Sequence, residues 1–136
     1  MPHLTLEYSA NLRDKGEFKL LCEKLARCLI EQRTEGQTVY PIGGVRVRAL
    51  CAHDYCVGDG GLDAAFVHAT LKIAAGRSEQ TKTATGDALF AVMKEHFASI
   101  YEQTGLALSL EITEFSETGT WKHNNLHGRF RARHGQ

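Results

Sequence analysis

Pro2 has the most unusual chemical option in this chain. Elsewhere in a polypeptide a proline nitrogen is a tertiary amide with no proton to give and no basic lone pair. Once Met1 is removed, the Pro2 nitrogen becomes a free secondary amine, a possible base or nucleophile. Many chains begin Met-Pro only because the methionine is easily removed, so the pair gains meaning from its surroundings. Those surroundings include three arginines: Arg46 and Arg48, two apart, and Arg77 within Gly76-Arg77-Ser78. Arginine offers a planar, permanently charged set of donors that binds carboxylates two at a time, which lysine does less well. Arginine charge beside a prolyl amine, together with burial, disfavours the ammonium form and lowers its pKa. The combination suits proton transfer on an anionic substrate. The arginines would hold carboxylates and stabilise charge developing on an oxygen.

Each residue also has a plainer reading. Arg46 and Arg48 share a strand face and would serve equally as surface ion-pair partners. Arg77 precedes a helix, where a solvated loop residue is common and the helix dipole attracts anions. His68 reads as a strand histidine with structural partners. His123 and His127 read as part of a tail that packs on a neighbouring subunit. Cys51, His53 and Cys56 lie close together, but their spacing matches no common zinc pattern and no second ligand pair is evident. Cys22 and Cys28 fall on the apolar side of a helix, as buried reduced cysteines do.

These residues need elements to position them. Leu4, Leu6 and Tyr8 alternate with Thr5 and Glu7, which predicts a strand from Pro2 to Tyr8. Asp14 and Glu17 have capping-box spacing. Phe18, Leu21, Cys22, Leu25, Cys28 and Leu29 follow at helical spacing, predicting a helix from about Lys15 to Arg33, with Gly36 near its end. Thr34 to Gly44 reads as a loop. Val45 to Ala52 alternates as a strand, with Arg46 and Arg48 on one face. Gly58 to Gly61 is a turn, and Phe66 to Ala74 the next strand. Ser78 is placed to cap a second helix, Thr81 to Gln103, with Leu89, Val92, Met93, His96, Phe97 and Ile100 as its stripe. Leu106, Leu108, Leu110 and Ile112 alternate as a fourth strand. The tail from Glu117 has no clear pattern, and Arg129, Arg131 and Arg133 read as solvated.

The order is βαββαβ, two βαβ halves, each with a right-handed crossover between parallel strands. The predicted fold class is α/β (α+β), a two-layer sandwich with both helices on one face of a four-stranded sheet. Both faces of the strand at Phe66 to Ala74 look partly apolar, which points to an oligomer covering the second face. The chain has 136 residues, 43% of them hydrophobic, and 16 basic against 16 acidic residues. That size allows one domain with a real core. The balanced charge does not favour nucleic acid or a membrane surface as partner. No run of 18 apolar residues or signal-peptide core is present, so a cytoplasmic location is expected.

The blocks Met1-Pro2-His3-Leu4, Glu7-Tyr8-Ser9 with Asn11, Pro41 to Arg48, Ala65 to Ser78 and Asn124-Asn125-Leu126-His127 resemble, in order, the 5-carboxymethyl-2-hydroxymuconate Δ-isomerase family of the tautomerase superfamily. The resemblance spans nearly the whole chain. It implies a single tautomerase-like domain over residues 1–136, with the fold shared by macrophage migration inhibitory factor, and a homotrimer with sheets turned inward. It implies a cofactor-independent isomerase, with no metal, that moves a proton and a double bond in an unsaturated 2-hydroxy/2-oxo polycarboxylate. The substrate would be 5-carboxymethyl-2-hydroxymuconate, met in homoprotocatechuate degradation. Pro2 matches the family's catalytic proline, and Arg46 and Arg77 match its substrate-binding arginines; Arg48 has no such match. The Thr34 to Tyr40 segment is longer than the family pattern and is expected to reshape the site entrance. A superfamily relative acting on another oxo-acid is the alternative, as is a non-catalytic binding protein if Met1 is retained, since the Pro2 nitrogen would then be an amide.

Overall fold

The computed structural model describes residues 1–134. Strand β1 (His3–Ser9) is followed by helix α1 (Phe18–Ile30), then by a two-residue ladder, β2 (Arg33–Thr34) with β3 (Gln37–Thr38). Next come β4 (Arg46–Ala52), β5 (Ala64–Ala74), α2 (Glu79–His96), α3 (Ala98–Gln103), β6 (Gly105–Phe115) and α4 (Leu126–Arg133). The main sheet has the order β4-β1-β5-β6. β1 runs parallel to β4, and β5 parallel to β6, while the central pair β1 and β5 is antiparallel. The two parallel pairs are those joined by α1 and α2, so both predicted crossovers form.

The alternation in β1 and β5 decides which side is dry. Leu4 and Leu6 of β1 and Val67, Ala69, Leu71 and Ile73 of β5 point to one side and are fully buried, against Leu21, Leu25 and Leu29 of α1 and Leu89 and Met93 of α2. Each such buried aliphatic side chain contributes about 1.5–3 kcal/mol over an exposed one. Tyr8 stacks on Phe18 with ring centroids 3.7 Å apart, which fixes the start of α1 over the sheet. Ser9 and Asn11 tie the end of β1 to the start of β5: the Phe66 amide donates to Ser9 Oγ (3.0 Å) and Asn11 Nδ2 donates to the Ala64 carbonyl (2.9 Å).

The helix ends depart from the sequence pattern. No Asp14–Glu17 capping box forms; Glu17 is itself the N-cap, in a left-handed conformation (φ 46°) with no side-chain cap, and α1 stops at Ile30. Gly36 therefore does not end a helix. With Glu35 (φ 52°) it makes the left-handed two-residue turn between β2 and β3, the geometry that such hairpins require. Ser78 caps α2 as expected, accepting from the Thr81 amide (3.1 Å). The second helix is interrupted at Phe97 (φ −100°, ψ 12°), whose ring is fully buried. The C-terminal segment is also not featureless: α4 carries Arg129, Arg131 and Arg133, all exposed.

A left-handed conformation costs a non-glycine residue roughly 1–2 kcal/mol, and asparagine less. Glu35→Asn should therefore raise stability by about 0.5–1 kcal/mol, read as a higher urea midpoint with unchanged slope.

The open face of the sheet is more polar than the strand pattern suggested. It carries Thr5 and Glu7 of β1, Arg48 of β4, His68, Thr70 and Lys72 of β5 and Glu111 of β6, with Phe66 and Leu50 as its larger apolar groups. His68 has the structural partners expected of it, Ser109 Oγ at 2.6 Å and Glu111 Oε1 at 3.2 Å.

Candidate active site

Pro2 lies at the head of β1, the strand at the centre of the fold's hydrogen bonding, and is buried. Its carbonyl accepts from the Arg46 amide (3.1 Å), so the β1–β4 ladder brings the Arg46 backbone directly beside it. The register sets His3 opposite Arg46 on one side and Lys72 on the other. The chain before His3 is thus level with the end of β5 and with the Gly76-Arg77 turn just beyond it. Three segments far apart in sequence meet there because β1 and β4 begin and β5 ends at the same end of the sheet.

Both matched arginines are half-buried and braced by backbone. Arg46 Nη1 donates to the Gly44 carbonyl (2.9 Å) and weakly to that of Gly43 (3.4 Å). Arg77 Nη1 donates to the Ala74 carbonyl (3.1 Å) and its Nη2 to the Val39 carbonyl (3.3 Å). The Arg77 guanidinium also sits 4.8 Å from the centre of the Tyr40 ring, a cation–π contact. Tyr40 is fully buried, and its hydroxyl lies 2.9 Å from Thr85 Oγ1. Thr85 gives its own proton to the Thr81 carbonyl (3.0 Å), so Tyr40 is the donor to Thr85. Among the described residues neither Arg46 nor Arg77 has a carboxylate within ion-pair distance. Each guanidinium keeps donors in reserve for an anion.

The electrostatics at this point follow from that uncompensated charge. The amino-terminal ammonium, carried here by Met1, is held below its ordinary pKa, first by burial and then by Lys122, Arg77 and Arg46; Glu117 opposes them. His3 is likewise held below the usual imidazole range, by burial and then by Arg48 and Arg46. Arg48 is exposed on the open sheet face, with Nη1 3.2 Å from His3 Nδ1.

The site has a floor made by two glycines. A Cβ at Gly44 would stand 3.4 Å from Met1 Cα and 3.5 Å from Pro2 Cδ. A Cβ at Gly43 would come within 2.8 Å of the His127 backbone nitrogen, closer than real contacts allow. Gly43 is therefore where α4 can touch the Ile42–Gly44 turn. His127 thus packs against the Ile42–Gly44 turn of its own chain. The long Thr34 to Tyr40 segment is an exposed hairpin whose return, Val39 and Tyr40, cradles Arg77.

Sequence reasoning picked out Pro2, Arg46 and Arg77, and the fold brings all three together. It missed Tyr40, Glu117 and Lys122. Tyr40 had one available signal, an aromatic at the end of a polar loop; Glu117 and Lys122 had none. The Cys51–His53–Cys56 group does not converge. Cys51 Sγ and His53 Nδ1 are 4.0 Å apart, while Cys56 Sγ turns to the Gly58 carbonyl (3.6 Å). Among the described residues no group of three or more His, Cys, Asp or Glu side chains is placed to hold a metal ion. Cys22 and Cys28 are half-buried free thiols, and burial pushes both above the usual thiol range. A cavity of about 670 Å³ lies between α2 and β6, lined by Glu79, Lys82, Phe90, Ile112 and Glu114 among others. None of those residues surrounds the amine.

A βαββαβ sandwich with a proline at the head of its central strand and unpaired arginines around it is a tautomerase-superfamily protein. The chain belongs to the 5-carboxymethyl-2-hydroxymuconate isomerase family, whose sequence model it matches over residues 2–130. It is 37% identical over 131 residues to the 5-carboxymethyl-2-hydroxymuconate Delta-isomerase of Escherichia coli, covering 96% of this chain and 100% of that one. The solved 5-carboxymethyl-2-hydroxymuconate isomerase of Deinococcus radiodurans R1 is 49% identical and superposes with a TM-score of 0.88, over 96% of this chain and 94% of that one. The fold alone extends further. A fused 4-OT protein solved as a symmetric trimer has 16% identity and a TM-score of 0.64, over 90% of this chain and 93% of that one.

Proposed function

We propose that this protein isomerises 5-carboxymethyl-2-hydroxymuconate to its 2-oxo-3-ene isomer, with Pro2 as the base and Arg46 and Arg77 as the substrate clamp. The observation that carries the reading is the pair of braced guanidiniums, without carboxylate partners, flanking the amino terminus in a chain of this family. The substrate has three carboxylates, and two unpaired arginines answer that charge. The Pro2 amine takes the 2-hydroxyl proton. The oxygen's electron pair forms the carbonyl, the double bonds shift by one position, and the proton is returned at the 5-position. Atoms and electrons balance with no external oxidant or reductant. Negative charge grows on the 2-oxygen as the proton leaves, and a fixed guanidinium is already oriented to stabilise it. A well-placed base of suitable pKa is worth roughly 10²–10⁴ in rate.

Met1 must be gone for this chemistry. Its Cα and side chain stand against Gly44 and beside Pro2, so removal frees both the amine and the space next to it. Intact mass combined with an ultraviolet assay of dienol loss tests the reading. Processed protein that leaves the dienol unchanged would overturn it.

The wider setting proposed is homoprotocatechuate breakdown in the cytoplasm. The four free cysteines fit a reducing compartment. Among the described residues no helix is long and apolar enough to cross a membrane. The working form is proposed to be a homotrimer, supported by the uncovered sheet face and by the trimeric protein that shares the fold. Sedimentation equilibrium should give three times the 15.1 kDa chain mass; a monomer mass would remove the trimer.

A further inference from the structure

Resting on the isomerase reading above, we propose that Lys122 is a third cation of this site, carried on a strap across the amino terminus, and that it takes one of the substrate's carboxylates. Arg46 and Arg77 leave one of three carboxylates without a partner. The strap is residues 116–125, between β6 and α4. Its first end is fixed beside Arg77: Phe115 pairs with Ala74, and the Ala75 amide donates to the Phe115 carbonyl (3.2 Å). Its second end is fixed on the other side of the site, where His127 of α4 rests on Gly43, next to the glycine that touches Met1 and Pro2.

The strap between these points is built from local turns. Ser116 Oγ accepts from the Thr118 amide (3.2 Å), Thr120 Oγ1 donates to the Ser116 carbonyl (2.7 Å), and Asn124 Oδ1 accepts from the Leu126 amide (3.0 Å). Lys122 Nζ lies 3.7 Å from Glu117 Oε1, a long and partly exposed pair on the same strap. Such a pair is weak and gives way readily to a better anion. With both ends of the strap fixed beside the site, the Lys122 charge acts on the amino-terminal ammonium that Met1 carries here, ahead of those of Arg77 and Arg46, with Glu117 opposing. His3, two residues on, is a further titratable group that feels the amino-terminal charge, together with those of Arg48, Arg46 and Lys72.

The test compares Met1-processed wild type, Lys122→Gln and Lys122→Arg. The first readout is kinetic, on 5-carboxymethyl-2-hydroxymuconate and on 2-hydroxymuconate, which lacks the carboxymethyl arm. Lys122→Gln should raise KM about tenfold on the tricarboxylate, the loss of one charged hydrogen bond, with a much smaller change on the shorter acid and in kcat. Lys122→Arg should restore KM. The second readout does not need turnover: nitrogen-15 NMR titration of the Pro2 amine, and calorimetric binding of tricarballylate, an unreactive tricarboxylate. Lys122→Gln should raise the amine pKa and weaken tricarballylate binding; Glu117→Gln should lower the amine pKa. Unchanged KM, amine pKa and tricarballylate affinity in Lys122→Gln would overturn the proposal while an active wild type left the isomerase reading standing. Wild type inactive on both dienols, with the amine shift and binding loss intact, would retain the cation site and remove the isomerase reading.

Discussion

Protein that keeps Met1 should isomerise the dienol about 10²–10⁴ times more slowly than processed protein, the full worth of a general base. Retention turns the Pro2 nitrogen into an amide, and it also leaves the methionine in the space beside Gly44. Pro2→Ala should fall between the two. It offers a primary amine in nearly the same place, but without the ring that fixes φ, and so with a less certain direction. The measurement is kcat/KM on samples whose amino terminus is established by intact mass. If protein with Met1 proven present turns over as fast as processed protein, the base lies elsewhere and Pro2 has no role in proton transfer.

The second large effect concerns Arg46 and Arg77. Replacing either by Ala should lower kcat/KM by about 1.5–3 kcal/mol in transition-state terms, roughly ten- to a hundredfold, as a charge-assisted hydrogen bond to the substrate is lost. The pH profile distinguishes this from simple loss of packing. The amine is a base only when unprotonated, so kcat/KM rises with pH through its pKa. Arg77 and Arg46 both lower the pKa of the amino-terminal ammonium that Met1 carries here, and the same charges would act on the Pro2 amine once Met1 is gone. Removing either cation stabilises the ammonium, raises the pKa and moves the rising limb to higher pH. Arg48→Ala is the contrast, since Arg48 is exposed, its side chain lies against His3, and it is absent from the charges that act on the amino-terminal ammonium. A limb that stays in place in both Arg46→Ala and Arg77→Ala would remove their charge from the tuning of the base.

Arg77 also shows how a long-range brace can govern a site. Its two backbone acceptors come from different segments, Ala74 before it and Val39 across the fold, and its guanidinium rests on a buried tyrosine. Tyr40 is in turn held by Thr85 of α2, so a helix on the far side of the sheet positions a cation beside the amine. The extended hairpin is therefore tied to the site through its return leg, and its exposed tip is free to vary.

Periodicity in the sequence was enough for the strand–helix–strand order, because period two and period 3.6 in Leu, Val and Ile record which face must leave water. Four of the main strands and both long helices were legible in this way. So was the option at Pro2, which is a property of covalent structure and needs no fold. The helix ends were not legible. Asp14 and Glu17 had the spacing of a capping box, yet Tyr8 stacking on Phe18 fixes where α1 begins, and Glu17 takes a left-handed cap to reach it. The break at Phe97 was hidden because a buried aromatic satisfies a helical stripe whether or not the backbone continues. Short exposed α4 has no apolar stripe to announce it; its docking depends on Gly43 lacking a side chain. Only tertiary structure could put Lys122 and Glu117 at the amine, since a charge on a connecting segment leaves no periodic trace. What brings them there is the shared edge where β1 begins and β5 and β6 end.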